Sequence, residues 1–74
     1  MERLEDIIGP NIRAHRTALG LTQKELGLRM GYTKQGAISN WELGRVLPLA
    51  NNLCDLADAL NCSVDELLGR KNKG

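Results

Sequence analysis

Phenylalanine is absent, and Tyr32 and Trp41 are the whole aromatic complement of this 74-residue chain. Any core must therefore be filled by aliphatic side chains. No stretch approaches the roughly 18 consecutive apolar residues of a membrane-spanning helix. The opening Met1-Glu2-Arg3-Leu4-Glu5-Asp6 is charged where a signal peptide would be apolar. The expectation is a cytoplasmic protein with no membrane partner. Cysteine is scarce too. Cys54 and Cys62 stand eight apart with no CxxC, and the lone His15 cannot complete a zinc set with them. They read as two small buried apolar side chains of a reducing compartment. The other reading, a disulfide, would join two points on neighbouring helices. No metal and no cofactor are expected.

Catalytic parts are also missing. The chain has neither a nucleophile triad nor a phosphate-cradling glycine loop, so it does not read as an enzyme. Asp55 and Asp58 share a helix face, where two acids beside a short core serve to solvate it. His15 reads as a surface or helix-packing residue.

What is present is a charge division. From Asn11 to Pro48 six basic residues (Arg13, Arg16, Lys24, Arg29, Lys34, Arg45) face Glu25 and Glu42, a net of +4. From Leu49 to Gly69 four acids (Asp55, Asp58, Asp65, Glu66) meet no base, a net of −4. On charge alone the basic half fits a phosphate backbone and a mixed solvated surface equally.

Periodicity predicts an all-α chain, since alternation of apolar and polar residues is nowhere sustained. A first helix is expected from Ile7 to Leu19, capped by Asp6, with Pro10 in its first turn and Ile8, Ile12 and Leu19 on one face. Gly20 ends it. A second runs from Gln23 to Met30. Thr22-Gln23-Lys24-Glu25 is its capping box, and Leu26 and Met30 form its buried side. A third runs from Gln35 to Leu43, with Ala37, Ile38 and Trp41 inward. A fourth starts near Leu49 to Asn51 and ends near Leu60, carrying Leu53, Leu56, Ala57 and Leu60 at helical spacing. A fifth starts at Ser63, where Ser63-Val64-Asp65-Glu66 is a second capping box. One domain over residues 1–69 is expected, followed by a disordered basic tail over 70–74.

The second and third helices are short, a few residues apart and separated by Gly31. This is the helix-turn-helix arrangement, which presents its second helix to the DNA major groove. Gly27 sits where the two helices should cross. A glycine inside a helix costs about 1 kcal/mol relative to alanine, so close approach explains it better than propensity. Trp41 reads as core and Tyr32 as turn packing. Leu28 and Leu49 read as single exposed leucines.

From Ile8 to Gly69 the sequence resembles the lambda repressor/Cro-like helix-turn-helix domains, the XRE family. The segments that carry this are Gly9-Pro10-Asn11-Ile12-Arg13, Leu21-Thr22-Gln23-Lys24-Glu25-Leu26, Ala37-Ile38-Ser39-Asn40-Trp41-Glu42-Leu43-Gly44-Arg45, Pro48 and the run Leu53 to Leu68. Between Gly31 and Ile38 the chain carries one residue more than the commonest members. The register is therefore anchored on Ile38 and Glu42, with the turn absorbing the extra residue.

The resemblance implies a five-helix lambda repressor-like fold with the helix-turn-helix at helices 2 and 3. It implies a sequence-specific double-stranded DNA-binding transcription regulator, a repressor. Lys34, Gln35, Gly36, Ser39 and Asn40 match base-reading positions. Gln23 and Arg45 match phosphate-contact positions, with Arg13 or Lys24 adding another. Arg16 and Glu42 match a salt bridge between helices 1 and 3. The implied partner is a pseudo-palindromic operator bound by a homodimer, with helix 5 and the Val46-Leu47 loop as candidate dimer contacts. The competing reading is a helix-turn-helix protein-interaction module, such as an antitoxin-like or anti-repressor partner.

Overall fold

A computed structural model describes residues 3–31 and 35–70. Among them are five helices and no strand. These are α1 (Leu4–Ala18), α2 (Gln23–Arg29), α3 (Gln35–Glu42), α4 (Ala50–Leu60) and α5 (Val64–Leu67). None of the helices is long and apolar enough to cross a membrane. Residues 71–74, most of the expected tail, and residues 32–34, which hold Tyr32 and Lys34, lie outside the described residues.

The core is aliphatic apart from Trp41. Ile8 and Ile12 come from α1, Leu26 from α2, Ile38 and Trp41 from α3, Leu56, Ala57 and Leu60 from α4, and Leu67 from α5. Burying one large aliphatic side chain contributes about 1.5–3 kcal/mol, so these few residues carry the fold. α1 packs chiefly on α3 and also on α5 and α4, while α2 lies on α3 and α4. The Asn11 amide nitrogen donates to the Leu67 carbonyl at 3.1 Å and ties α5 to α1.

Four expectations about α1 and the cysteines are corrected. α1 starts at Leu4, with Arg3 rather than Asp6 at its N-cap and no side-chain cap bond. Glu5 and Asp6 instead occupy the first turn, where carboxylates favour the helix dipole. Pro10 consequently lies inside the helix rather than in its first turn. Leu19 is 42% exposed, because α1 stops at Ala18 and the chain turns there. Cys54 is exposed and Cys62 half-buried, and both are free thiols. Cys54 falls just off the inward face of α4 that Leu53, Leu56, Ala57 and Leu60 define.

A close crossing is made at Gly9. A Cβ there would lie 2.6 Å from the Glu42 carbonyl oxygen and 2.7 Å from that of Trp41. Those neighbours are backbone, so no side chain can swing aside. This lets α1 lie directly against the last turn of α3. Gly27, the position expected to permit a close crossing, is buried in α2.

Candidate nucleic-acid interface

The site grows from the start of α2. The Thr22 hydroxyl accepts from the Glu25 N–H at 3.0 Å, and the Glu25 carboxylate accepts from the Thr22 N–H at 2.9 Å. This reciprocal cap fixes the first turn and sets Gln23 at its first position. The Gln23 Nε2 then donates to Glu42 Oε1 at 3.1 Å.

Glu42 is the centre of a three-helix polar hub. Arg16 meets it two-pronged, with Nε donating to Oε2 at 2.6 Å and Nη2 to Oε1 at 3.0 Å. A third guanidinium nitrogen, Nη1, donates to the Leu21 carbonyl at 2.8 Å. The Arg16 and Glu42 side chains are only 12% and 4% exposed. Hydrogen bonding to the Glu42 carboxylate holds the Arg16 pKa above its ordinary value, against the opposing effect of burial. A pair so enclosed fixes the mutual placement of α1, α2 and α3 more surely than it adds net stability.

Beside the hub is a shallow hollow of about 200 Å³ lined by Arg13, Arg16, Gln23, Ser39, Glu42 and Leu43. Arg13 and Gln23, matched to phosphate contacts, thus meet Ser39, matched to base readout. Two guanidinium groups and one carboxylate line the hollow, so its net sign is positive.

α3 turns Ile38 and Trp41 inward. Gly36 is exposed and Asn40 half-buried. Four residues apart, they share one stripe of the helix, opposite Ile38. A Cβ on Gly36 would meet nothing within 4 Å, so the fold itself does not demand glycine there. Gln35 is the first residue of α3. Lys34 lies outside the described residues. α3 ends at Glu42, and two residues on, Gly44 has a φ of +75°, which is left-handed and favours glycine. The Gly44 N–H then reaches the Trp41 carbonyl at 3.2 Å, and the Arg45 N–H reaches that of Asn40 at 3.0 Å. Exposed Arg45 therefore stands directly at the end of α3. Lys24 is exposed on the first turn of α2.

Two features escaped the sequence reading. Leu43, 62% exposed, continues the stripe of Gly36 and Asn40; the spacing 36, 40, 43 was the available signal. Arg29, counted with the basic half, donates to the Ala59 carbonyl at 3.0 Å and lines a second hollow with Asp55 and Asp58. It belongs to the α4 side rather than to the α3 surface.

The helix-turn-helix family pattern matches residues 12–67. The chain is 42% identical over 62 residues to repressor protein C2 of Salmonella phage P22, a match covering 84% of this chain and 28% of that protein. It thus spans little more than a quarter of the repressor's length. The crystal structure of P22 c2 repressor in complex with a synthetic operator superposes with a TM-score of 0.80 at 40% identity, over 88% of this chain and 97% of that one. An HTH-type transcriptional regulator of Sinorhizobium fredii is 37% identical over 65 residues, which is 88% of this chain and 83% of the relative. With these likenesses added to the five-helix fold and the capped α2–α3 pair, the chain belongs to the lambda repressor/Cro-like, XRE-type helix-turn-helix family.

Proposed function

We propose that this chain binds double-stranded DNA in a sequence-specific manner and represses transcription, with α3 set in the major groove. The observation that carries this is the outward stripe of α3. It bears a glycine that the fold does not need, the Asn40 amide, and groups suited to phosphate close by. Gln23 and Arg13 line the hollow beside Ser39 and Glu42, and Arg45 follows the C-terminal end of α3. Asn40, Ser39, Gln35, Gly36 and Lys34 supply base readout, Asn and Gln through two-point pairing with adenine. Arg45, Gln23, Arg13 and Lys24 fix the register on phosphates. Arg16 and Glu42 hold the three helices in docking geometry. The protein works in the cytoplasm as a binding protein rather than an enzyme. It binds as a homodimer on a pseudo-palindromic operator. Val46 and Leu47, 52% and 38% exposed, supply apolar surface for that contact.

Selection of bound sites from random duplex DNA tests this reading and reports the operator. On the selected duplex, Asn40→Ala should cost about 1–3 kcal/mol at one base pair and relax preference there. Arg45→Ala should weaken all duplexes alike, and log K should fall by about 0.9 per phosphate neutralised as log salt rises. No duplex binding even at low salt would overturn the proposal in favour of a protein-interaction module.

A further inference from the structure

The fold brings together three metal-ligating side chains, none of them supplied by α3. His15 lies in the last turn of α1, Cys62 just past the end of α4, and Glu66 in α5. One ligand atom from each lies within 4.8 Å of the other two. Two cysteines and one histidine make no zinc set by themselves, but folding brings the Glu66 carboxylate to His15 and Cys62. We propose that His15, Cys62 and Glu66 form a three-ligand site for a borderline-soft divalent cation of the zinc type, with a water in the fourth position.

The geometry supports it. Tetrahedral coordination with Zn–S near 2.3 Å and Zn–N or Zn–O near 2.0–2.2 Å sets ligand atoms about 3.3–3.8 Å apart. His15 Nε2 already stands 3.8 Å from Glu66 Oε2. Torsions of the exposed Glu66 and the half-exposed His15 supply the remaining closure of about 1 Å. Other groups hold the donors in place. The Ser63 hydroxyl donates to Glu66 Oε1 at 3.3 Å and leaves Oε2 facing His15. This is the kind of outer hydrogen bond that orients a metal-bound carboxylate. Asn61 adopts the left-handed conformation, with φ 55°, and the following Cys62 N–H donates to the Ala57 carbonyl at 2.9 Å, which holds the backbone that carries the thiol. Without a cation, partial burial and the Glu66 charge push the Cys62 thiol up and keep it protonated. Binding would release that proton to solvent as the thiolate forms, with His15 neutral and Glu66 ionised.

A soft N, S, O set favours zinc-type ions over calcium or magnesium, which prefer all-oxygen ligands. The ion would staple α1 to the α4–α5 turn and to α5. The competing account is a surface His15–Glu66 ion pair, which makes no use of sulfur.

The test is cobalt(II) titration of the reduced, untagged full chain, followed by zinc displacement. One equivalent of cobalt should produce a thiolate-to-metal charge-transfer band and tetrahedral visible bands, which one equivalent of zinc abolishes. Zinc a hundredfold above its Kd should raise the thermal midpoint by about 10 °C or more. Cys62→Ser should lose both effects, His15→Ala and Glu66→Gln should weaken binding at least tenfold, and Cys54→Ser should change neither. Circular dichroism of each apo variant confirms that loss of the band is not loss of the fold. The proposal is overturned by absence of the thiolate band in the wild type, or its persistence in Cys62→Ser. Loss of the band in Cys54→Ser, or two chains per ion, overturns it equally, because the exposed Cys54 thiol would then be bridging copies.

Discussion

The α1–α2–α3 side and the α4–α5 side of this molecule are held together by different physics. On the first, Arg16, Gln23 and Glu42 converge on a nearly enclosed carboxylate. On the second, Leu56, Leu60 and Leu67 pack at 0–2% exposure, and the polar ties include single bonds to backbone carbonyls, from Asn11 to Leu67 and from Arg29 to Ala59. Aliphatic packing is forgiving in direction and generous in energy. A two-pronged ion pair is the reverse, adding little net stability but enforcing one relative placement. The difference teaches that the helix proposed to read DNA is tied by a polar hub, while the helices closing the core are tied chiefly by area.

The sharpest way to break this contrast is Glu42→Ala. It leaves the enclosed Arg16 guanidinium with the Leu21 carbonyl but no counter-charge, and should cost about 3–5 kcal/mol. Replacing both partners, as Arg16→Met with Glu42→Leu, should recover most of that stability while duplex affinity stays low. Urea melts beside duplex titrations under fully folded conditions separate the two. An unchanged melt for Glu42→Ala would show that Arg16 simply turns to solvent. Leu56→Ala provides the opposite signature. A fully buried leucine lost from the core should cost about 2–5 kcal/mol, yet the protein that remains folded should bind DNA as before. A matching loss of affinity per folded molecule would mean that α4 also aims α3.

How far these roles were legible follows from the range of the signals. Gly20 and Gly44, and the Thr22-to-Glu25 and Ser63-to-Glu66 segments, punctuate the chain locally, so the α2, α3 and α4 boundaries were readable within about two residues. Asp6 was misplaced because an acid suits both an N-cap and a first turn, and Pro10 made the later start look natural. Leu19 was misplaced because the apolar stripe was extended past the point where the chain turns. The Ser63 cap formed, with its hydroxyl accepting from the Glu66 N–H at 3.0 Å, but the Glu66 carboxylate took the Ser63 hydroxyl and faces His15. Gly9 gave no local sign, since what it accommodates is backbone of α3, distant in sequence. The same holds for His15, Cys62 and Glu66. Adjacency created by folding is what a linear reading misses; family resemblance supplied it for Arg16 and Glu42 but not for these.

A smaller effect sharpens the contrast within α3 itself. Gly36→Ala meets nothing inside the chain and should raise stability by about 0.5–1 kcal/mol through helix propensity. If that surface lies against DNA, the added methyl should reduce operator affinity at the same time. Stability and affinity moving in opposite directions would mark Gly36 as kept for the interface. Both rising, or affinity holding steady, would remove α3's glycine from the contact surface.

The smallest expected effect concerns the cap that places Gln23. Hydrogen bonds from the Thr22 backbone and side chain hold the Glu25 carboxyl below its ordinary value of 4.5. A depressed folded-state pKa means that the charged cap contributes stability above the unfolded-state value. That contribution fades as pH falls through the lower folded-state value. Glu25→Gln keeps an acceptor oxygen but has no charge to lose. The variant should therefore melt slightly below the wild type near neutrality, and the gap should close once the pH is below the folded-state pKa. A gap of constant size from pH 7 down to pH 3 would show that the cap acts through hydrogen-bond geometry alone. The charge of Glu25 would then have no part in holding Gln23 against Glu42.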